Sequence, residues 1–254
     1  MLKSVQLELE SNLSPVHSGL CFSSIGNEYF ADHTQTGALF GKQGQKGVPL
    51  LEGKIDEPLS TVTSMKIGVL ALQGDFDAHR RRLEELGAKV VLVKKPEQLG
   101  EIDGLVIPGG ESSTFLKLLG EEGLAKLKDF VRVKPTFGTC AGCILLATEV
   151  ENPKQSGLGS LDITVRRNAY GRQIDSSIRE GRFLNEPAEM VFIRAPKIER
   201  VGDGVEVIAT EGEDEVPVLV RKGKTLAATF HPELSDDRRV HQYFLDMVRN
   251  ARPS

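Results

Sequence analysis

The chain has 254 residues, 39% of them hydrophobic and 27% charged, with a formal net charge of −4. This is the composition of an ordinary soluble globular protein, and its slight acidity removes any bulk attraction to nucleic acid or anionic membranes. No stretch approaches the roughly 20 apolar residues that a membrane helix needs. The three cysteines, Cys21, Cys140 and Cys143, are too few and odd in number for a disulfide framework, which suits a reducing, cytoplasmic setting.

Residues 1–64 read differently from the rest. They contain no arginine and are rich in Gly, Ser, Thr and Gln, and they sustain neither a helical nor a strand period. They lack the compact apolar run of a secretory signal. With Glu8 and Glu10 and no arginine they also lack the composition of a transit peptide. Met65 is followed at once by "KIGVLALQG". The expectation is therefore an extension over 1–64, poorly structured or not native, ahead of one domain over 65–254. A misplaced start, a flexible tail and a lineage-specific arm all fit the extension. The 190 residues from Met65 onward suffice for one well-cored domain.

In chain order, "KIGVLAL" (66–72) is a short apolar run with β-branched residues, the pattern of a buried strand. "DAHRRRLEELG" (77–87) sets Leu83 and Leu86 on one face and charges on the other, with Gly87 as a stop, and predicts an amphipathic helix. Strands follow at 89–94 and 104–110, the second running into a glycine turn. Residues 112–119 and 121–132 read as helices, 135–139 as a short strand, and "AGCILLATEV" (141–150) as a buried helix. The later part is strand-rich, at 161–166, 189–194, 205–210, 216–221 and 225–230. "DDRRVHQYFLDMVRNA" (236–251) closes the chain as an amphipathic helix. The early alternation of strand and helix implies a parallel sheet with helices on both faces, an α/β sandwich of three layers.

Three motifs carry chemistry. "GTCAG" (138–142) has the form G-x-nucleophile-x-G between a strand and a helix, the context of a nucleophile elbow. The glycines relieve crowding at the sharp turn, and the helix N-terminus beside Cys140 favours a thiolate. The Ala141 N–H is then placed to hold an oxyanion. Cys143 completes a C-x-x-C spacing, open to a redox or metal reading as well as to simple packing; a zinc site would need two further ligands, and no metal or other cofactor is expected. "FHPEL" (230–234) sets His231 and Glu233 two apart at a strand end. In extended backbone they share a face, so the carboxylate can orient the imidazole and the imidazole can take the thiol proton. His17, His33, His79 and His241 have no such context and read as satisfied core or surface residues. "IPGGESS" (107–113) ends a buried strand in two glycines and a polar helix start. Such a turn can aim backbone N–H groups into a crevice at the carboxyl ends of the strands, or serve only as a turn with Ser112 or Ser113 as helix cap.

Together these residues resemble the class I glutamine amidotransferases. "LALQGDF", "GLVIPGGESST", "FGTCAG", "VRRNAYGRQIDS", "FIRAPKI" and "FHPEL" are similar, in order and spacing across 65–254, to the glutaminase subunits of pyridoxal 5′-phosphate synthases. The resemblance implies a flavodoxin-like α/β sandwich that hydrolyses glutamine to glutamate and ammonia. It makes Cys140 the nucleophile, His231 the base and Glu233 its orienter. Gly110, Glu111 and Ser112, with Arg167, Ile193 and Arg194, would bind glutamine, and Gly109, Gly110 and Ala141 would supply the oxyanion hole. An arginine suits the substrate carboxylate because it binds bidentate. The family commonly has an aliphatic residue at the place of Cys143, and it usually begins where Met65 stands.

The resemblance also implies a partner. Free ammonia is mostly protonated at neutral pH, and 190 residues hold no acceptor-substrate domain. A barrel-shaped synthase subunit, making pyridoxal phosphate from ribose 5-phosphate and glyceraldehyde 3-phosphate in a large hetero-oligomer, would receive it. The basic run "HRRR" (79–82) reads as a solvated helix face that could also assist docking. Other readings remain open on the residues alone: a glutaminase serving another synthase, a non-glutaminase cysteine hydrolase of the same sandwich superfamily, or a C-x-x-C oxidoreductase.

Overall fold

A computed structural model describes residues 65–169 and 176–252 of the chain. The extension over 1–64 lies outside the described residues, as do positions 170–175 of the "VRRNAYGRQIDS" motif. Nine strands form the main sheet. Its parallel half is built from β1 (Lys66–Leu70), β2 (Lys89–Val93), β3 (Gly104–Ile107), β4 (Thr136–Thr139) and β12 (Thr225–Ala228), in the order β2-β1-β3-β4-β12. β11 (Val216–Lys222), β10 (Glu206–Glu211), β7 (Ser176–Phe183) and β8 (Glu186–Ile193) extend it in antiparallel fashion. A second, three-stranded sheet holds β5 (Ala147–Glu151), β6 (Leu161–Arg166) and β9 (Lys197–Val201).

The parallel strands β1, β3 and β12 are near-continuous apolar runs because both of their faces are covered. Every residue of β3, β4 and β12 is buried. Alternation then sorts their side chains into two cores. Leu105 and Ile107 join one cluster with Phe115 and Leu127 of α2 (Ser112–Val133) and Leu145 of α3 (Ala141–Leu146). Val106 and Phe137 join the other with Leu83 of α1 (Phe76–Glu85) and Phe244 and Val248 of α4 (Arg239–Asn250). Helices thus lie on both faces, the three-layer α/β sandwich expected from the alternation. The small sheet packs on the α2–α3 side through Leu161, Ile163 and Val165.

Several element boundaries differ from expectation, each for a physical reason. The run expected as a helix over 141–150 is helical only to Leu146, and Ala147–Glu151 turns into β5. The "TEV" stretch pairs with β6, and its β-branched residues fit a ladder better than a helix. α2 is kinked at Gly120, whose φ is 61°, the break expected between 119 and 121. β7 and β9 were not expected: "SSIREGRF" and "KIERV" bury few of their residues, so apolar pattern alone does not mark them. Among the described residues no helix is long and apolar enough to cross a membrane.

Candidate functional site

β4 and β12 are adjacent and parallel, with Thr139 opposite Ala228. Cys140 and His231, which follow them, therefore leave the same edge of the sheet. Pro108 to Gly110 follows β3, the other neighbour of β4, and Gln73 follows β1. This convergence at the carboxyl ends of parallel strands is where α/β proteins bind ligands.

Cys140 sits at φ 47° and ψ −99° between β4 and α3, an elbow in a region that L-residues rarely occupy. Its N–H bonds to the Ala228 carbonyl at 2.8 Å, which fixes the turn against β12. The flanking glycines are steric requirements. A Cβ on Gly142 would run into the Ile107 carbonyl oxygen, and one on Gly138 would lie 2.6 Å from the Gly142 backbone. Cys140 is only 6% exposed, and its sulfur lies 4.0 Å from the Ile193 carbonyl oxygen.

His231 and Glu233 meet as expected, although not by the expected route. Pro232–Leu234 is a 3-10 turn rather than extended chain, so it is the curl of the turn that brings the two side chains together. His231 Nδ1 and Glu233 Oε1 are 2.8 Å apart. A carboxylate only accepts, so the hydrogen resides on Nδ1. That leaves Nε2, which is buried and makes no well-aligned hydrogen bond of its own, with the Cys140 sulfur as a polar neighbour. Burial alone would lower the His231 pKa, but the charges of Glu233 and Cys140 carry it well above its ordinary value. Burial raises the Glu233 carboxyl, and His79 and His231 outweigh that and bring it down to about 2. The His231 backbone is tied to β8 through a bond from its N–H to the Val191 carbonyl at 2.8 Å.

His79 and His241, read from sequence as unremarkable, are both completely buried behind this pair. His79 Nε2 lies 3.2 Å from Glu233 Oε2, and His79 Nδ1 lies 3.0 Å from His241 Nε2. A signal for both was present. His79 shares the helical stripe of Leu83 and Leu86, and His241 that of Phe244, Leu245 and Val248.

The glycine turn crowds the same place. A Cβ on Gly109 would lie 2.5 Å from His231 Cε1 and 3.5 Å from Cys140 Cβ. Gly110 has φ 129° and packs on the Gln73 side chain. Gln73 was not singled out from sequence as a functional residue, yet it clamps this turn, accepting from Glu111 N–H at 3.1 Å and donating to the Glu111 carbonyl at 3.2 Å. The cap of α2 is Glu111, which accepts from Ser113 N–H; neither Ser112 nor Ser113 plays that part. Ser112 instead donates to Gln155 Oε1 at 2.9 Å. Arg167 donates to the same oxygen at 3.0 Å and to Glu111 Oε1 at 2.8 Å. Glu111, Ser112 and Arg167 thus form one cluster, with Gln155, unnoticed in the sequence, as its centre. Ile193 ends β8 beside Cys140, and Arg194 follows it, exposed, with φ 43°. Ala141 is the first residue of α3 and is fully buried.

Cys143 is completely buried within α3 and packs in the core. Burial, and secondarily the charge of Cys140, push its thiol far up, which suppresses the thiolate that redox exchange requires. Among the described residues no group of three or more His, Cys, Asp and Glu side chains is placed to hold a metal ion. The "HRRR" run is not a free basic face. His79 is internal, Arg80 pairs with Asp77 and Glu84, Arg81 with Asp77, and Arg82 with Glu85 and Asp236.

Residues 69–250 match the model of the SNO glutamine amidotransferase family. A protein of Koribacter versatilis named pyridoxal 5′-phosphate synthase subunit PdxT is 69% identical over 189 residues, 74% of this chain and 97% of that protein. One of the same name from Solibacter usitatus is 55% identical over 192 residues, 72% of this chain and 99% of the relative. Among solved structures, a crystal structure of a glutamine amidotransferase superposes with a TM-score of 0.67 at 45% identity, covering 72% of this chain and 98% of that one. PurLQS from Thermotoga maritima superposes with a TM-score of 0.52 at 16% identity, over 74% of this chain and 97% of that one, a likeness that bears on the fold alone. With the family model spanning most of the described residues, the chain belongs to the SNO glutamine amidotransferase family.

Proposed function

We propose that this chain is the glutaminase subunit of a pyridoxal 5′-phosphate synthase, with the domain over 65–254 hydrolysing L-glutamine to L-glutamate and ammonia through Cys140, His231 and Glu233. The observation that carries the reading is the meeting of the strained Cys140 elbow with a buried His231–Glu233 pair at one edge of the sheet. The family and the names of the relatives supply the substrate and the pathway.

In this mechanism Cys140 passes its thiol proton to His231 Nε2 and the sulfur attacks the side-chain amide carbon of glutamine. The developing oxyanion is met by the N–H groups of Ala141 and of the Gly109–Gly110 turn; losing one such donor typically costs about 10²–10³-fold in rate. The carbon–nitrogen bond breaks as His231 Nε2 gives its proton to the leaving ammonia. Water, deprotonated by His231, then opens the thioester and releases glutamate. Glu233 keeps the imidazole in one tautomer and supports its charge. Arg167 receives the substrate α-carboxylate and Glu111 its α-ammonium, with Ser112, Ile193 and Arg194 completing the pocket. The Arg167–Glu111 pair at 2.8 Å opens to admit them.

Ammonia in water at neutral pH is mostly ammonium, so it passes directly to a synthase subunit in a cytoplasmic hetero-oligomer. The test is glutamine turnover by the full chain with and without that subunit. Turnover should rise several-fold on its addition. A chain that hydrolyses no glutamine in either condition, or one indifferent to the subunit, contradicts the assignment.

A further inference from the structure

We propose that His79, backed by His241, is a positioning residue for the triad, a neutral histidine that steadies the second oxygen of Glu233 while the first holds His231 on Cys140. This rests on the triad reading above. The residues form one continuous buried line. His241 Nε2 lies 3.0 Å from His79 Nδ1. His79 Nε2 lies 3.2 Å from Glu233 Oε2 and 3.1 Å from Thr139 Oγ1. Glu233 Oε1 lies 2.8 Å from His231 Nδ1. Thr139 immediately precedes Cys140, so the line closes on the elbow from both ends.

Protonation follows from the acceptors. A lone pair on His79 Nε2 would face a carboxylate oxygen 3.2 Å away with no water between them, which is repulsive in a buried site. The hydrogen therefore sits on Nε2, between the Glu233 and Thr139 oxygens. Nδ1 is then an acceptor and takes its hydrogen bond from His241 Nε2–H. No donor is well aligned on Glu233 Oε2, and the polar group that faces it is His79 Nε2, in electrostatic contact at 3.2 Å. Without His79 that oxygen would be a buried, uncompensated half of a carboxylate, free to rotate Glu233 out of register with His231.

The charge balance agrees. Glu233 already faces the imidazolium form of His231, so a second cation beside it would leave net positive charge in a dry interior. The titratable groups facing the two histidines are Glu233, His231, Asp75 and Arg82. Burial is the first cause holding both imidazoles below their ordinary value, His241 at about 3.

The test compares His79→Leu and His79→Gln in the full chain with the synthase subunit present. Leucine keeps bulk but has no donor, and glutamine can offer an amide N–H near the place of Nε2. His79→Leu should lower kcat for glutamine by about tenfold to 100-fold, the range for one lost hydrogen bond to an ion, with KM unchanged, and His79→Gln should recover most of it. An unchanged kcat in His79→Leu, equal losses in both variants, or a loss confined to KM overturns the proposal. Should the leucine variant not fold, ¹⁵N spectra of the histidines in the unsubstituted chain decide. At neutral pH His79 and His241 should both be neutral Nε2–H tautomers, and a charged or Nδ1–H His79 there overturns the proposal. Cys140→Ala serves as the control: glutamine turnover by that variant would sink the triad reading itself.

Discussion

Gly109 shows how little room the site leaves. Its missing side chain is the space occupied by the His231 ring, since a Cβ there would stand 2.5 Å from Cε1. Gly109→Ala should leave the fold standing but displace the imidazole from Cys140. A misplacement of about 1 Å can cost about 10²-fold in rate. Steady-state glutaminase kinetics beside a thermal melt should show that loss in kcat with the melting temperature nearly unchanged. The meeting of Cys140, His231 and Glu233, the proposed triad, was legible because each sits in a short spaced motif at a strand end. The partners of their supports were not, although the helical stripe marks His79 as a buried residue. Gln73, His79 and Gln155 act across 38, 154 and 43 positions of chain, on Glu111, Glu233 and Ser112, and no local pattern records such distances.

Elements with one dominant periodicity were readable from sequence, and those with a mixed one were not. β1 and β3 are short apolar runs between turn residues, and the ladder follows them closely. α1 was readable as an amphipathic helix, while its arginine run hid the fact that His79 lies on the buried stripe with Leu83. α3 and β5 lie end to end in one apolar segment, so hydrophobicity alone could not find the join at Ala147. β7 pairs with β8 along its whole length yet alternates exposed and half-buried residues up to Phe183. Its identity comes from its partner rather than from its own apolar content. The "FHPEL" segment carried the right contact with the wrong backbone, because Pro232 starts a 3-10 turn instead of prolonging the strand.

The molecule as a whole places its candidate site on the parallel half of the main sheet, and its buried histidines tie stability to pH. His79 and His241 are held below their ordinary pKa by burial. The unfolded chain therefore binds protons that the folded chain refuses, and stability falls as pH drops below about 6.5, with a slope of at most about 1.4 kcal/mol per pH unit for each such histidine. His231 has the opposite sign. Its raised pKa gives stability that is fully present below about 6.5 and is lost as pH rises through the folded value. Glu233, depressed to about 2, adds a further loss only at lower pH, below the ordinary carboxylate range. Urea unfolding across pH should show a maximum near pH 6.5, and the acid slope should lessen when His241 is replaced by an apolar residue. A profile flat between about pH 5 and about pH 6.5 would mean that the two histidines are charged inside the fold.

The central claim, that Cys140 alone is the nucleophile of a glutamine-specific site, meets its most direct test in covalent trapping. The full chain, incubated with an electrophilic chloroketone analogue of glutamine in the presence of the synthase subunit, should gain one adduct, mapped by mass spectrometry to Cys140. Excess glutamine should protect it, and a His231→Asn variant should react far more slowly. An adduct on Cys143, or an unmodified Cys140 in a chain that still turns over glutamine, would contradict the account.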